Sequence, residues 1–348
     1  MLNPSRSKKE AYFDQELLHL SGAMTAQSVV KHFLTEGDKL LISRLSPLED
    51  QGGYAVASNY GASEHVVRSL TPTQWRAGSL VARVLFQPIE ETSRVFFSKS
   101  LSSSAPSSSS SQENDQEALQ TAVELLSTLL LLFTYFLLLL LVFGPPYLPL
   151  ATALVLPPRY LQTSAPRILH AFRFYLPAMA YNGVLEAFLA SVCTPADLRA
   201  QSRMMVAASA ALIATALSGA RVFGSGDVAL VWANTVSMAV RALYAWRFAR
   251  RFCTARAAPP QRKREIVRAL GPAALCPPLG VLVAFAAAAA CTRWSATAHA
   301  DVRMSLGAQR GHVALGGVCL GVCLVTWCVP PSLYLTRVHV RSFNDGNL

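Results

Sequence analysis

An all-α membrane helix bundle is the fold that this sequence predicts, and three observations predict it. Hydrophobic residues make up 52% of the 348-residue chain, and charged residues only 15%. Soluble domains carry about 25% charged residues, so the surface a water-exposed protein needs is missing. The apolar residues also gather into runs of roughly 18 to 26, enough for about 30 Å of hydrocarbon, and the charges lie between the runs.

Taken in order, the first expected element is a polar segment from Leu20 to Leu45, followed by a second from Ser79 to Ser98. The clearest span runs from Ala118 to Phe143, where Gly144 and the Pro145-Pro146 pair are expected to close the helix, because proline cannot continue one. Further spans are expected near Ile168 to Val192, Met204 to Val222, Val228 to Phe248, Ala269 to Cys291 and His312 to Leu335. The total is about eight transmembrane helices. Between the first pair and the rest lies LSSSAPSSSSSQENDQE, whose low complexity predicts a disordered cytoplasmic linker over residues 100–117. The domain plan is thus an N-terminal segment (1–19), two helices (20–99), the linker, six helices (118–336) and a C-terminal tail (337–348).

The net charge of +11 does not point to nucleic acid, since no aromatic residues interleave the basic ones. Lys and Arg concentrate in short segments between apolar runs, where they fix orientation in the membrane. The richest holds Arg247, Arg250, Arg251, Arg256, Arg262, Lys263, Arg264 and Arg268. Placing it in the cytoplasm also puts there the linker, Arg199 with Arg203, and both termini. The opening MLNPSRSKKEAYFDQE is too polar for a signal peptide and too acidic for a mitochondrial presequence.

Several motifs dissolve in this context. Gly224 to Ala229 fits G-x-G-x-x-A, but without a preceding strand it is a turn between spans. Gly317 and Gly321 form a G-x-x-x-G that predicts close helix packing. The seven cysteines are scattered with no metal-ligand spacing, and no Walker loop, nucleophile elbow or H-E-x-x-H occurs, so neither an enzyme nor a cofactor is expected.

The functional signal lies in polar residues inside membrane segments, where each unpaired charge costs about 2.5–3.5 kcal/mol and therefore turns inward. Arg83, Gln87, Glu90 or Glu91, and Arg94 recur at helical spacing on one face. An internal Glu90–Arg94 salt bridge and a substrate site are the two readings of that face. Lys31 and Asp38 share a face with Gln27 and Thr35, next to one carrying His32, Glu36 and Lys39. Asn182 and Glu186 are four apart, and Asn234 and Arg241 seven apart. Arg241, taken as a helix-end residue, either snorkels to the interface or joins Lys31 and Arg83 in lining a cavity for an anionic head group.

The stretches KHFLTEGDKLLI, DQGGYAVASNYG, SLVARVLFQPIEETSRVFFSK, YNGVLEAF and WANTVSMAVRA resemble the eukaryotic Rft proteins of the endoplasmic reticulum. The resemblance implies a relative of multidrug and lipid exporters, equivalent to the second lobe of a fourteen-helix, two-lobe transporter. It implies involvement in moving dolichyl-diphosphate-linked oligomannose, with five mannoses and two N-acetylglucosamines, to the lumenal leaflet for N-glycosylation. On that reading Lys31, Arg83 and Arg241 engage the diphosphate, and Glu90 and Glu91 hold those cations. The expected partners are this glycolipid, membrane lipids and a missing N-terminal lobe; nucleic acid is not one. Residues 62–78 interrupt the family pattern ASNYGSLVAR and read as a retained in-frame intron that would form a lumenal loop. Two alternatives stand beside this reading. One is an ion-coupled exporter using Glu36, Asp38 and Glu186, and the other is a scaffold for glycosylation enzymes that transports nothing.

Overall fold

The computed structural model describes residues 85–102, 109–156, 158–223, 226–258, 260–298 and 309–344, with isolated positions between 21 and 29. Among these residues the regular elements are all helices, with no strand. The helices are α1 (Gln87–Ser102), α2 (Ser109–Val155), the single turn α3 (Pro158–Leu161), α4 (Ala165–Val192), α5 (Pro195–Phe223), α6 (Gly226–Arg256), α7 (Pro260–Ala269), α8 (Leu279–Ala298) and α9 (Arg310–Asn344). Five are long and apolar enough to cross a membrane: 114–154 in α2, 195–222 in α5, 226–256 in α6, 279–298 in α8 and 310–328 in α9.

Helix α4 sits at the centre, packed against α1, α2 and α6. Its polar interior keeps it out of the five spans by composition, although its 28 residues would reach about 42 Å. Ile168 and Phe172 at its start pack with Leu230 and Val231 at the start of α6. Val184 to Leu189 near its end pack with Ala245 to Cys253 near the end of α6, so the two helices run parallel. Helix α5 makes the return run from one to the other and packs along α6. The α4–α5 corner is tight because Thr194 and Asp197 form a capping box. The Asp197 carboxylate accepts from the Thr194 N–H at 3.0 Å, and Thr194 Oγ1 accepts from the Asp197 N–H at 3.3 Å.

Small residues let α6 approach its neighbours closely. Ala229, Ala233, Ser237, Ala245, Ala249 and Cys253 recur at roughly four-residue spacing and are all buried. Outside, the pattern inverts: Val206, Leu217, Val222, Leu279, Val283, Val318 and Val325 are each about half exposed or more. A soluble domain would leave such apolar faces unstable in water, whereas lipid covers them.

Five expectations need correction. The helix expected to stop at Phe143 runs through Pro145, Pro146 and Pro149 to Val155. Each proline removes one N–H, but an unfolded backbone in hydrocarbon would strand several such groups without water, so bending a continued helix costs less. The span expected from Ala269 begins ten residues later, at Leu279. Residues 270–278 form successive turns, and the Pro278 carbonyl accepts the first helical bonds from Val281 and Leu282 at 2.9 and 3.1 Å.

The linker expected to be disordered over 100–117 is helical up to Ser102 and again from Ser109. Once the apolar span has nucleated, Gln, Glu and Ala at 112–118 extend it at one hydrogen bond per residue fixed. Helix α9 likewise carries on through 337–344, part of the expected tail. The insert expected at 62–78, and most of the helix expected at 20–45, lie outside the described residues.

The expected close approach at Gly317 and Gly321 also fails, since a Cβ at either would meet nothing within 4 Å. The packed glycine is Gly316, which lies against the Tyr147 phenol. Helix α9 therefore turns a face one residue away from the motif towards α2.

Candidate functional site

The α4–α6 seam carries an ionised centre. Arg241 donates to Glu186 Oε1 from Nη2 at 2.7 Å and from Nε at 3.0 Å, and Nη1 approaches the Met238 sulfur at 3.8 Å. Each residue of the pair is only 8% exposed. Because α6 extends to Arg256, Arg241 lies at the middle of a 31-residue helix, not at its end. A guanidinium about 22 Å from either terminus cannot snorkel to water, so the partner has to come from within, and Glu186 supplies it.

Around this pair the polar character spreads along both helices. Asn182 lies one turn below Glu186 and is buried, with no partner for its Oδ1 among the described residues, and Ser237 Oγ lies one turn below Arg241 in the same state. Asn234 is half-buried on α6. On the other flank, α1 presents Glu90, whose Oε1 accepts from Arg94 Nη2 at 2.8 Å. The second carboxylate oxygen of Glu90 lies against α4, 3.0 Å from where a Gly183 Cβ would stand. Glycine at 183 thus lets a carboxylate from α1 reach the backbone between Asn182 and Glu186. Gln87 donates to Glu91 at 3.1 Å, and both are exposed.

Of the residues expected at the site, the structure brings together Asn182, Glu186 and Arg241, and sets Glu90 and Arg94 beside them. The expected internal Glu90–Arg94 salt bridge is present. Glu91 points away to an exposed contact with Gln87, and Asn234 stands about two turns from Arg241 on its own helix. Lys31, Glu36, Asp38, Lys39 and Arg83 lie outside the described residues.

Two features were not foreseen from the sequence. Asp227 in the first turn of α6 is fully buried, with no hydrogen-bond partner among the described residues for either carboxylate oxygen. Its only sequence signal was the Gly-Ser-Gly-Asp turn. The other feature is a joint just past the Pro145-Pro146 pair of α2. Tyr147 stacks on His312 at 4.3 Å and donates to the His312 carbonyl at 2.8 Å, while His312 Nδ1 sits 2.9 Å from Ser295 Oγ. This ties α2, α8 and α9 together. Among the described residues no cluster of His, Cys, Asp and Glu is placed to hold a metal ion.

Lipid-facing helices wrapped around a buried ion pair define a multi-pass membrane protein with an ionised interior. The chain belongs to the Rft family: the family model described as Rft protein matches residues 2–70 and 74–340. The match breaks only at 71–73, inside the stretch expected as a non-family insert, and covers the rest of 62–78 up to residue 70 and from 74.

Similar proteins are named Man(5)GlcNAc(2)-PP-dolichol translocation protein RFT1. The one from Yarrowia lipolytica is 35% identical over 66% of this chain and 31% of its own length. The Saccharomyces cerevisiae protein is 30% identical over 69% of this chain and 37% of its own length. The mouse protein is 29% identical over 93% and 54%. The chain thus spans between about a third and about half of the relatives it matches. No solved structure matches it.

Proposed function

We propose that this chain forms one wall of a passage through the endoplasmic reticulum membrane for dolichyl-diphosphate-linked oligosaccharide, and that the α4–α6 polar seam meets the diphosphate. The observation that carries the reading is the buried Glu186–Arg241 pair, with Arg241 at the middle of α6, in a chain whose relatives are named for translocating that glycolipid. Glu186 neutralises Arg241 while the passage is empty. An arriving diphosphate, with more than one negative charge and a geometry matched by the guanidinium fork, competes with the carboxylate for Arg241. The amide oxygen of Asn182 and the hydroxyl of Ser237, without partners among the described residues, flank the pair and offer further polar contacts. The missing wall, on this reading, comes from an N-terminal lobe.

The test is a proteoliposome assay with a fluorescent dolichyl-diphosphate oligosaccharide, scoring its loss of accessibility to an external glycosidase. Protein-dependent movement that falls at least tenfold with Arg241→Gln supports the proposal. Movement at the rate of empty liposomes refutes it.

A second reading, an ion-coupled exporter, draws on the buried Asp227 carboxylate, which has no partner among the described residues. It predicts transport that collapses when the proton and sodium gradients are removed and that is insensitive to glycolipid.

A further inference from the structure

The basic end of the bundle has charges that its fold does not use. Between Arg247 and Arg268 the sequence sets eight cations against one carboxylate, Glu265. Two of the cations are engaged by the protein: Arg250 lies over the Trp246 ring, and Arg256 lies over Phe252 and donates to the Leu101 carbonyl. Among the described residues, no hydrogen bond or ion pair engages those of α7. The ion pairs among the described residues are Glu90–Arg94 and Glu186–Arg241, both on other helices.

The docking of α7 explains where its cations go. Ile266 is buried against the main core together with Leu270 just past the helix end, and the Leu270 carbonyl accepts from Trp246 Nε1 at 3.1 Å. Gln116 of α2 fixes the approach to α7, donating to the Arg256 carbonyl at 3.0 Å and accepting from the Ala258 N–H at 3.1 Å. With its apolar side held inward, α7 turns Lys263, Arg264, Val267 and Arg268 outward, where they line an open groove of about 280 Å³.

The depth of this groove in the membrane follows from its neighbours. The indole of Trp246 has its apolar body in the core and its N–H at the bundle's end, as tryptophans do at a membrane interface. Past the turns that follow α7, Leu279 is 76% and Val283 59% exposed, so lipid-facing surface begins there. The groove is therefore level with the lipid head groups.

We propose that α7 is a seat for anionic phospholipid of that leaflet, the head-group charge lying among Lys263, Arg264 and Arg268 with Val267 against the start of the acyl chains. Charge complementarity selects the occupant. Cations at head-group depth that no carboxylate among the described residues pairs favour an anionic lipid over a zwitterionic one, by about fivefold for each cation engaged. The proposal concerns the rim of the bundle and does not depend on the reading of the α4–α6 seam.

The test uses the purified full chain in neutral detergent, titrated separately with dioctanoyl phosphatidylserine, dioctanoyl phosphatidylcholine and inorganic pyrophosphate. Bound ligand is read by native mass spectrometry and the thermal midpoint by fluorescence. Phosphatidylserine is expected to bind and raise the midpoint, more weakly as salt rises, while phosphatidylcholine and pyrophosphate do neither at the same concentration. The triple change Lys263→Gln, Arg264→Gln, Arg268→Gln, all at exposed positions, should weaken phosphatidylserine binding by about a hundredfold. Arg293→Gln with Arg310→Gln, on α8 and α9 away from this end, should leave it unchanged. Equal binding of the two phospholipids, or a triple variant that binds phosphatidylserine like the parent, would overturn the proposal. Displacement of phosphatidylserine by pyrophosphate alone would also overturn it, by making the groove a site for soluble anions.

Discussion

Removing one member of the Glu186–Arg241 pair should damage the protein far more than removing both. The two charges, about 4 Å apart between centres, attract by about 4 kcal/mol at an effective dielectric of about 20. With both residues 8% exposed, little of that is screened by solvent. Glu186→Leu leaves a guanidinium in mid-bundle with no carboxylate, and Arg241→Met leaves the carboxylate alone; each should cost about 3–5 kcal/mol. The double variant Glu186→Leu/Arg241→Met buries two apolar side chains of similar volume and should lie within about 1 kcal/mol of the parent, or above it. The assay is equilibrium unfolding of the four proteins in a mixed detergent, read by tryptophan fluorescence and set out as a double-mutant cycle. Singles that each cost under about 1 kcal/mol, with a double equal to their sum, would refute the coupling argued from these distances.

Other expectations follow from single contacts. Gly316→Ala puts a methyl group into the Tyr147 ring and should break the Tyr147 bond to His312, lowering the thermal midpoint by several degrees. Gly317→Ala and Gly321→Ala meet open space and should be neutral or slightly stabilising; a loss at Gly317 or Gly321 equal to that at Gly316 would contradict the packing. Glu90→Gln removes an i, i+4 pair whose side chains are a third to a half exposed, so stability should fall by no more than about 0.5 kcal/mol on unfolding in detergent. At the α4–α5 corner, burial first and the Asp197 charge second push the Cys193 thiol pKa up. Since the thiolate is the reactive form, Cys193 should react with a maleimide more slowly than the exposed Cys276 at pH 8, and Asp197→Asn should quicken it. Equal rates at the two cysteines would count against the described burial.

The helices were legible where apolar runs are long, because lipid imposes one period and one length on each. Helix α6 fell within a few residues of its expected start, and α4 ended where expected. What failed was the rule that two prolines end a helix. It reflects water competing for the backbone, and at Pro145–Pro146 the chain has no water to turn to. Asn182 and Glu186 were readable as one face from their spacing alone. Their partner was not, since Arg241 lies 55 residues from Glu186 and no local period relates them. Arg241 was misplaced at a helix end because the basic cluster after Phe248 looked like a loop, whereas α6 continues to Arg256. The G-x-x-x-G motif marked a helix able to pack closely but not which face does so, since that depends on how α9 is rotated against α2.

Whether the α4–α6 seam is part of the passage, and more than a structural tie, is decided by the transport rate of Glu186→Leu/Arg241→Met. The expected result is a folded protein, as stable as the parent, that no longer moves the dolichyl-diphosphate oligosaccharide across proteoliposomes. A double variant that moves it at the parental rate would contradict the proposed passage and reduce the pair to packing.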